Sequence, residues 1–317
     1  MRKTAITAGL LALITHAVAQ NQGQERPRQG GVSYPPRLEG ARVEVYKKIG
    51  ATELNLYIYE PPNHKSADRT PAIVFFFGGG WNAGSPAQFE QQCRYLASRG
   101  MVAMTADYRV ASRHAAKVVD CIKDAKSAVR WIRTNAARLG IDPNRIVAGG
   151  GSAGAHIAAA AANIRDFDES GEDRSTSSVP NALVLFNPPA ALARYGDKSP
   201  LDSPDMARLA DRFGSDPEAV SPAHHVRSGA PPAILFFGTA DRLLGGAEYF
   251  CNQMKQQGSR CELVTYEGQP HGFFNFGRSE NKYFLDTLKK ADAFLVSLGY
   301  LKGEPTVDQF AWKASGQ

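Results

Sequence analysis

At 317 residues, 43% of them hydrophobic, the chain can bury a large core and is too apolar to be a disordered protein. Its 37 Lys and Arg against 31 Asp and Glu give a formal net charge of +6. The charge forms no basic cluster or stripe and there is no aromatic-spaced RNA motif, so no nucleic-acid partner is expected.

The chain begins with a basic pair, Arg2-Lys3, an apolar run from Ala5 to Val18, and an A-x-A cleavage site at Ala17-Val18-Ala19. Residues 1–19 therefore read as a signal peptide, and the mature chain as exported, periplasmic or extracellular. No later stretch suits a membrane span after cleavage. Residues 20–40, rich in Gln, Gly, Arg and Pro, read as a disordered leader.

Folded structure is expected over 41–300. Runs 42–46 and 53–59 alternate apolar and polar residues across Gly50, as an antiparallel hairpin does. Strands are then expected at 72–77, 102–105, 146–148, 182–186, 233–237 and 262–266, with helices at 88–98, 121–139, 155–162, 247–257 and 281–298. Unbroken apolar strands separated by helices predict an α/β fold: a mostly parallel central sheet, helices on both faces, and the hairpin as an antiparallel edge. Residues 188–229 interrupt the alternation and form a possible partial lid, while 301–317 is a tail without periodicity. Nothing in the sequence specifies an oligomeric state.

Four cysteines in an exported chain suggest disulfides. Cys93 and Cys121 lie on or near consecutive helices, and Cys251 and Cys261 bracket a helix-to-strand connection, so these two local pairings are expected. There is no C-x-x-C spacing and no neighbouring His, so neither a metal nor any other cofactor is expected.

The chemistry converges on Gly150-Gly-Ser152-Ala-Gly154, between an apolar strand and an Ala-rich helix. A strand, a sharp turn with small residues two before and two after the serine, and a helix start form the context of a nucleophile elbow. Such a serine needs a base, and the base an orienting acid. Asp241 follows the strand 233–237, and His271 follows the strand 262–266. Ser152, Asp241 and His271 thus stand in the order Ser, Asp, His, each beyond the carboxyl end of its strand, where α/β sheets build sites. His156, one helical turn after the serine, reads as structural. After the first long strand, Phe77-Gly78-Gly79-Gly80-Trp81 leaves its backbone unobstructed, so N–H groups of Gly79 or Gly80, with that of Ala153, are expected to hold an oxyanion. Trp81, Tyr108, Phe273 and Phe274 are candidates for lining a substrate pocket.

These segments, with Asp107-Tyr-Arg109 and His271-Gly-Phe-Phe274, resemble the motifs of α/β-hydrolase-fold esterases, near hormone-sensitive-lipase-like and bacterial acetyl-xylan or feruloyl esterases. The resemblance spans about residues 41–300 and implies a serine esterase acting on a small-molecule or carbohydrate ester, with a short-acyl or O-acetyl group favoured. It leaves open an amide or formamide hydrolase with the same triad, or a non-catalytic binding module. Phe77 stands where the family's oxyanion loop usually begins with His, so any hydrogen bond from that His is lost. No long N-terminal helical cap is present, which implies a more open cleft.

Overall fold

The computed structural model describes residues 34–312; the expected signal peptide and most of the expected leader lie outside that range. Strands β1 (Arg42–Ile49) and β2 (Thr52–Tyr59) form the hairpin, with a register break between Val45 and Lys47. Then come β3 (Thr70–Phe76), α1 (Glu90–Ser98), β4 (Val102–Ala106), the short α2 (Ala111–His114), α3 (Val118–Thr134), β5 (Ile141–Gly151) and α4 (Ala153–Asn163). The chain continues through β6 (Ala182–Phe186), the short α5 (Pro204–Ala210), β7 (Ala233–Gly238), α6 (Leu244–Gln256), β8 (Cys261–Tyr266) and α7 (Lys282–Ser297).

The eight strands form one sheet in the order β1-β2-β4-β3-β5-β6-β7-β8, antiparallel as far as β4 and parallel beyond it. Strands β4, β6 and β7 are buried at every position, which is why their sequences are continuous apolar runs rather than alternating ones. Helices α3, α4 and α6 bury Ile122, Ile157 and Phe250 against one face. Helices α1 and α7 bury Tyr95 and Leu288 against the other. Helix α3 begins before the expected Cys121 because the Asp120 carboxylate accepts the Lys117 N–H at 3.0 Å, closing the first turn. It stops at Thr134, short of the expected Leu139, and turns carry the chain to β5.

Cys251 and Cys261 form a disulfide between α6 and β8, with Cα atoms 5.3 Å apart. The second expected pairing is not made: Cys93 and Cys121 are free and buried. Cys93 on α1 belongs to the core on one side of the sheet and Cys121 on α3 to the core on the other. A disulfide spans Cα separations of about 4.4–6.8 Å, far less than a sheet with its two side-chain layers. Opening the Cys251–Cys261 bond, which closes a loop of sequence separation 10, should cost about 2–3 kcal/mol on a loop-entropy model. A thermal midpoint lowered by a few degrees under reductant, and no further lowered in Cys251→Ser, is the expected calorimetric result.

Both chain ends of the described region pack on the domain. Leu38 is buried, so ordered structure reaches back into the expected leader. In the tail, Val307 is buried and Trp312 stacks on Tyr95 with ring centroids 5.8 Å apart. No helix among the described residues is long and apolar enough to cross a membrane.

Candidate active site

Strand β5 ends at Gly151 and α4 begins at Ala153, so Ser152 is the whole turn, with φ 51° and ψ −117°. A non-glycine residue in this region is strained and persists only where its surroundings hold it. Here its N–H donates to the Phe186 carbonyl at 2.8 Å, and its own carbonyl accepts the His156 N–H at 2.9 Å. The hydroxyl is thereby lifted to the carboxyl edge of the sheet.

The three residues expected from chain order meet there. His271 Nε2 lies 2.9 Å from Ser152 Oγ, and His271 Nδ1 lies 2.7 Å from Asp241 Oδ2. Asp241 is buried. It accepts the Leu243 N–H at 3.0 Å and Asn187 Nδ2 at 2.9 Å, while Asn187 Oδ1 accepts the Gly272 N–H at 3.3 Å. Asn187 therefore clamps the acid loop to the histidine loop. A carboxylate with both oxygens hydrogen-bonded is held in place and orients the ring so that Nε2 faces the serine.

Serine and histidine open onto a cavity of about 410 Å³ whose wall includes Gly80, Trp81, Ala153, Pro189, Leu209 and Leu243. Gly80 and Ala153 thus line the same cavity as the serine, Ala153 as the first residue of α4, at a helix N-terminus where the dipole favours negative charge. Gly79 makes the turn behind them: at φ +129° a Cβ would lie 2.2 Å from the Ala83 carbonyl oxygen. Trp81 is on the wall, as expected. Pro189 and Leu209 show that the 188–229 insertion supplies part of the wall.

The other three aromatic candidates are not on that wall. The Tyr108 hydroxyl donates to the Phe77 carbonyl at 2.7 Å, and its ring stacks on Phe77 at 4.2 Å. Phe77 thus braces the oxyanion loop by stacking. Phe273 and Phe274 are buried because the chain turns inward after Gly272. Phe274 stacks on Phe186 at 4.6 Å beneath the elbow. Asp107-Tyr-Arg109 is likewise structural, Arg109 pairing with the buried Asp124 at 2.8 Å.

Two braces hold these loops in place, and of their central residues only His156 is singled out by the sequence, as structural. Gln88 Oε1 accepts the Gly78 N–H at 2.6 Å, Gln88 Nε2 donates to Asn275 Oδ1 at 2.7 Å, and Asn275 Nδ2 donates to the Gly272 carbonyl at 2.8 Å. The oxyanion loop and the catalytic histidine loop are tied through one amide pair. Gln88→Ala should lower kcat by roughly 10²-fold, the scale of an ångström's misplacement, with KM little changed; steady-state kinetics on p-nitrophenyl acetate checks it.

The second brace is His156, fully buried on α4. Its Nδ1 accepts Trp81 Nε1–H at 3.2 Å and its Nε2 donates to the Val220 carbonyl at 2.7 Å, which requires the neutral ring protonated on Nε2. Burial lowers its pKa from 6.5 to about 4. A depressed folded value means the stability it contributes is complete above pH 6.5 and is lost as pH falls through about 4. Asp107, whose carboxyl burial pushes up to about 6, acts in the opposite sense over much of that window. The clean measurement is therefore ring ¹⁵N shifts: His156 should keep the neutral Nε2–H signature at pH 5, where an ordinary imidazole is charged.

A strained serine on an elbow, a hydrogen-bonded Asp-His pair and flanking backbone donors form the apparatus of acyl transfer in the α/β-hydrolase class. A family model described as the alpha/beta hydrolase fold matches residues 73–275, and the chain belongs to that family. Carboxylesterase NlhH of Mycobacterium tuberculosis is 29% identical over 284 residues, covering 83% of this chain and 85% of that protein. Esterase 2 of Thermogutta terrifontis in its native structure is 55% identical with a TM-score of 0.81, covering 87% of this chain and 99% of that one. The same esterase has also been solved with butyrate bound, at 54% identity and TM-score 0.81 over 86% of this chain and 100% of that one. Within the family this chain is a serine carboxylic ester hydrolase.

Proposed function

We propose that the protein is an exported esterase that removes short acyl groups, acetate foremost, from a carbohydrate through an acyl-enzyme on Ser152. The observation that carries the acyl-enzyme is the 2.9 Å approach of His271 Nε2 to Ser152 Oγ at the mouth of the cavity. Ser152 Oγ attacks the ester carbonyl carbon as its proton passes to His271 Nε2, and the carbonyl π electrons move to the oxygen, held by the Gly80 and Ala153 N–H groups with Gly79 behind. The tetrahedral centre collapses, the C–O bond to the alcohol breaks, and His271 returns the proton to the departing oxygen. Water then attacks the acyl-serine, His271 takes its proton and passes it to Ser152, and the carboxylic acid leaves.

Short-acyl preference is supported by the modest cavity and by the relative solved with butyrate bound. Export is supported by the Ala17-Val18-Ala19 motif and by the Cys251–Cys261 disulfide, a bond favoured in oxidising compartments. A carbohydrate as the alcohol rests on export and on the resemblance to acetyl-xylan esterases. Two assays test the reading together: kcat/KM across p-nitrophenyl acetate, butyrate and octanoate, and acetate release from acetylated xylan. Activity rising toward octanoate would overturn the acyl assignment, and absence of acetate release would overturn the carbohydrate.

A further inference from the structure

At the opposite end of the sheet, before the amino ends of β6 and β7, lies a second cavity of about 380 Å³. It plays no part in the ester chemistry and stands independently of the proposed substrate. Its deep cations are already engaged. Lys126 Nζ donates to the Arg165 and Asp166 carbonyls at 3.0 and 2.7 Å and pairs with Asp168 at 3.0 Å, and Arg130 pairs with Asp168 at 2.6 Å. Asp168, the one acidic side chain on the wall, is thereby neutralised twice over.

The rim differs. Arg165, Arg174 and Arg227 are exposed and line the cavity, and none of their side chains makes a hydrogen bond, ion pair or ring contact among the described residues. Three arginines line one opening whose single acidic wall residue is already paired, an arrangement suited to bidentate recognition of carboxylates. On the wall, Asn163 is buried; its Nδ2 donates to the Ala159 carbonyl at 2.9 Å, and its Oδ1 is buried with no partner. The cavity runs on into a trough of about 700 Å³ that shares Ser175, Ser177 and Gly229 with it. The trough gives room for more than one residue of a chain, and neither cavity is lined by a Phe, Tyr or Trp ring on which a nucleobase could stack.

We propose that this cavity is a non-catalytic binding site for an acidic oligosaccharide, its carboxylates held by Arg165, Arg174 and Arg227 and its hydroxyls facing the wall formed by Ser175, Ser177 and Ser228. An enzyme so equipped is held on a uronate-bearing polymer while the far end of the sheet works on esters. Calorimetric titration of the full chain with trigalacturonate tests this, with xylotriose as hydroxyls without charge and tricarballylate as carboxylates without sugar. Trigalacturonate should bind at one site. The triple variant Arg165→Ala, Arg174→Ala, Arg227→Ala should weaken it at least tenfold while hydrolysing p-nitrophenyl acetate at the wild-type rate. Raising salt from 50 to 500 mM should weaken it as well. Binding unchanged in the triple variant, no binding by 10 mM, or equal affinity for xylotriose or for tricarballylate would overturn the proposal.

Discussion

Ser152→Ala should lower kcat/KM for p-nitrophenyl acetate by about 10⁵- to 10⁶-fold, the scale seen when a triad nucleophile is deleted, while leaving the fold intact. Alanine can take the same strained turn, because the Phe186 and His156 bonds that hold it use only the backbone of residue 152. Asp241→Asn should cost about 10⁴-fold. The amide that replaces the carboxylate must meet both Asn187 Nδ2 and His271 Nδ1, which now converge on one oxygen, Oδ2, and the ring loses the anion that stabilises its charged form. Residual activity above a per cent of wild type in Ser152→Ala, with the melting curve unchanged, would remove the serine from its assigned role.

Gly154→Ala should be among the most damaging single methyl groups that can be added near the site. An added Cβ there would lie 2.0 Å from the Phe76 carbonyl oxygen and 2.5 Å from that of Phe77. Both carbonyls belong to the backbone leading from β3 into the oxyanion loop, so neither can swing aside, and relief requires helix and strand to part. A loss of about 3 kcal/mol, the upper range for overpacking, is expected in urea denaturation, together with loss of most esterase activity. Gly151→Ala supplies the comparison. Its Cβ would meet the edge of the Phe274 ring at 2.7 Å, a side chain with some freedom to tilt, so the cost should be visibly smaller. Equal destabilisation by the two substitutions would show that backbone contact is not what separates them.

The triad was legible because each member follows its own strand, and chain order with strand ends is a one-dimensional signal. The hairpin edge was legible for the same reason: alternation gives way to continuous apolar runs where one buried face becomes two. Cys93 and Cys121 show where such signals fail. Proximity along the chain says nothing about which side of the sheet a helix takes, and the two thiols are divided by the sheet. Tyr108, Phe273 and Phe274 failed differently. Each adjoins a motif, but whether an aromatic ring points into a cleft or beneath it depends on a turn's direction, which residue type does not encode. Asn187 could have been singled out by the rule that found the acid, since it follows β6 directly. No local pattern points to Gln88 and Asn275, partners 187 residues apart.

The His156 bridge bears on how this enzyme could be re-engineered. One imidazole links Trp81, on the oxyanion loop, to the Val220 carbonyl within the 188–229 insertion. That insertion also provides Pro189 and Leu209 to the cavity wall, which makes it the natural cassette to exchange when a different acyl preference is wanted. A graft that fits the wall and offers no carbonyl at the position of Val220 would unseat the indole from a distance. Donor segments are therefore best chosen first by that backbone acceptor and only then by the side chains they present to the substrate.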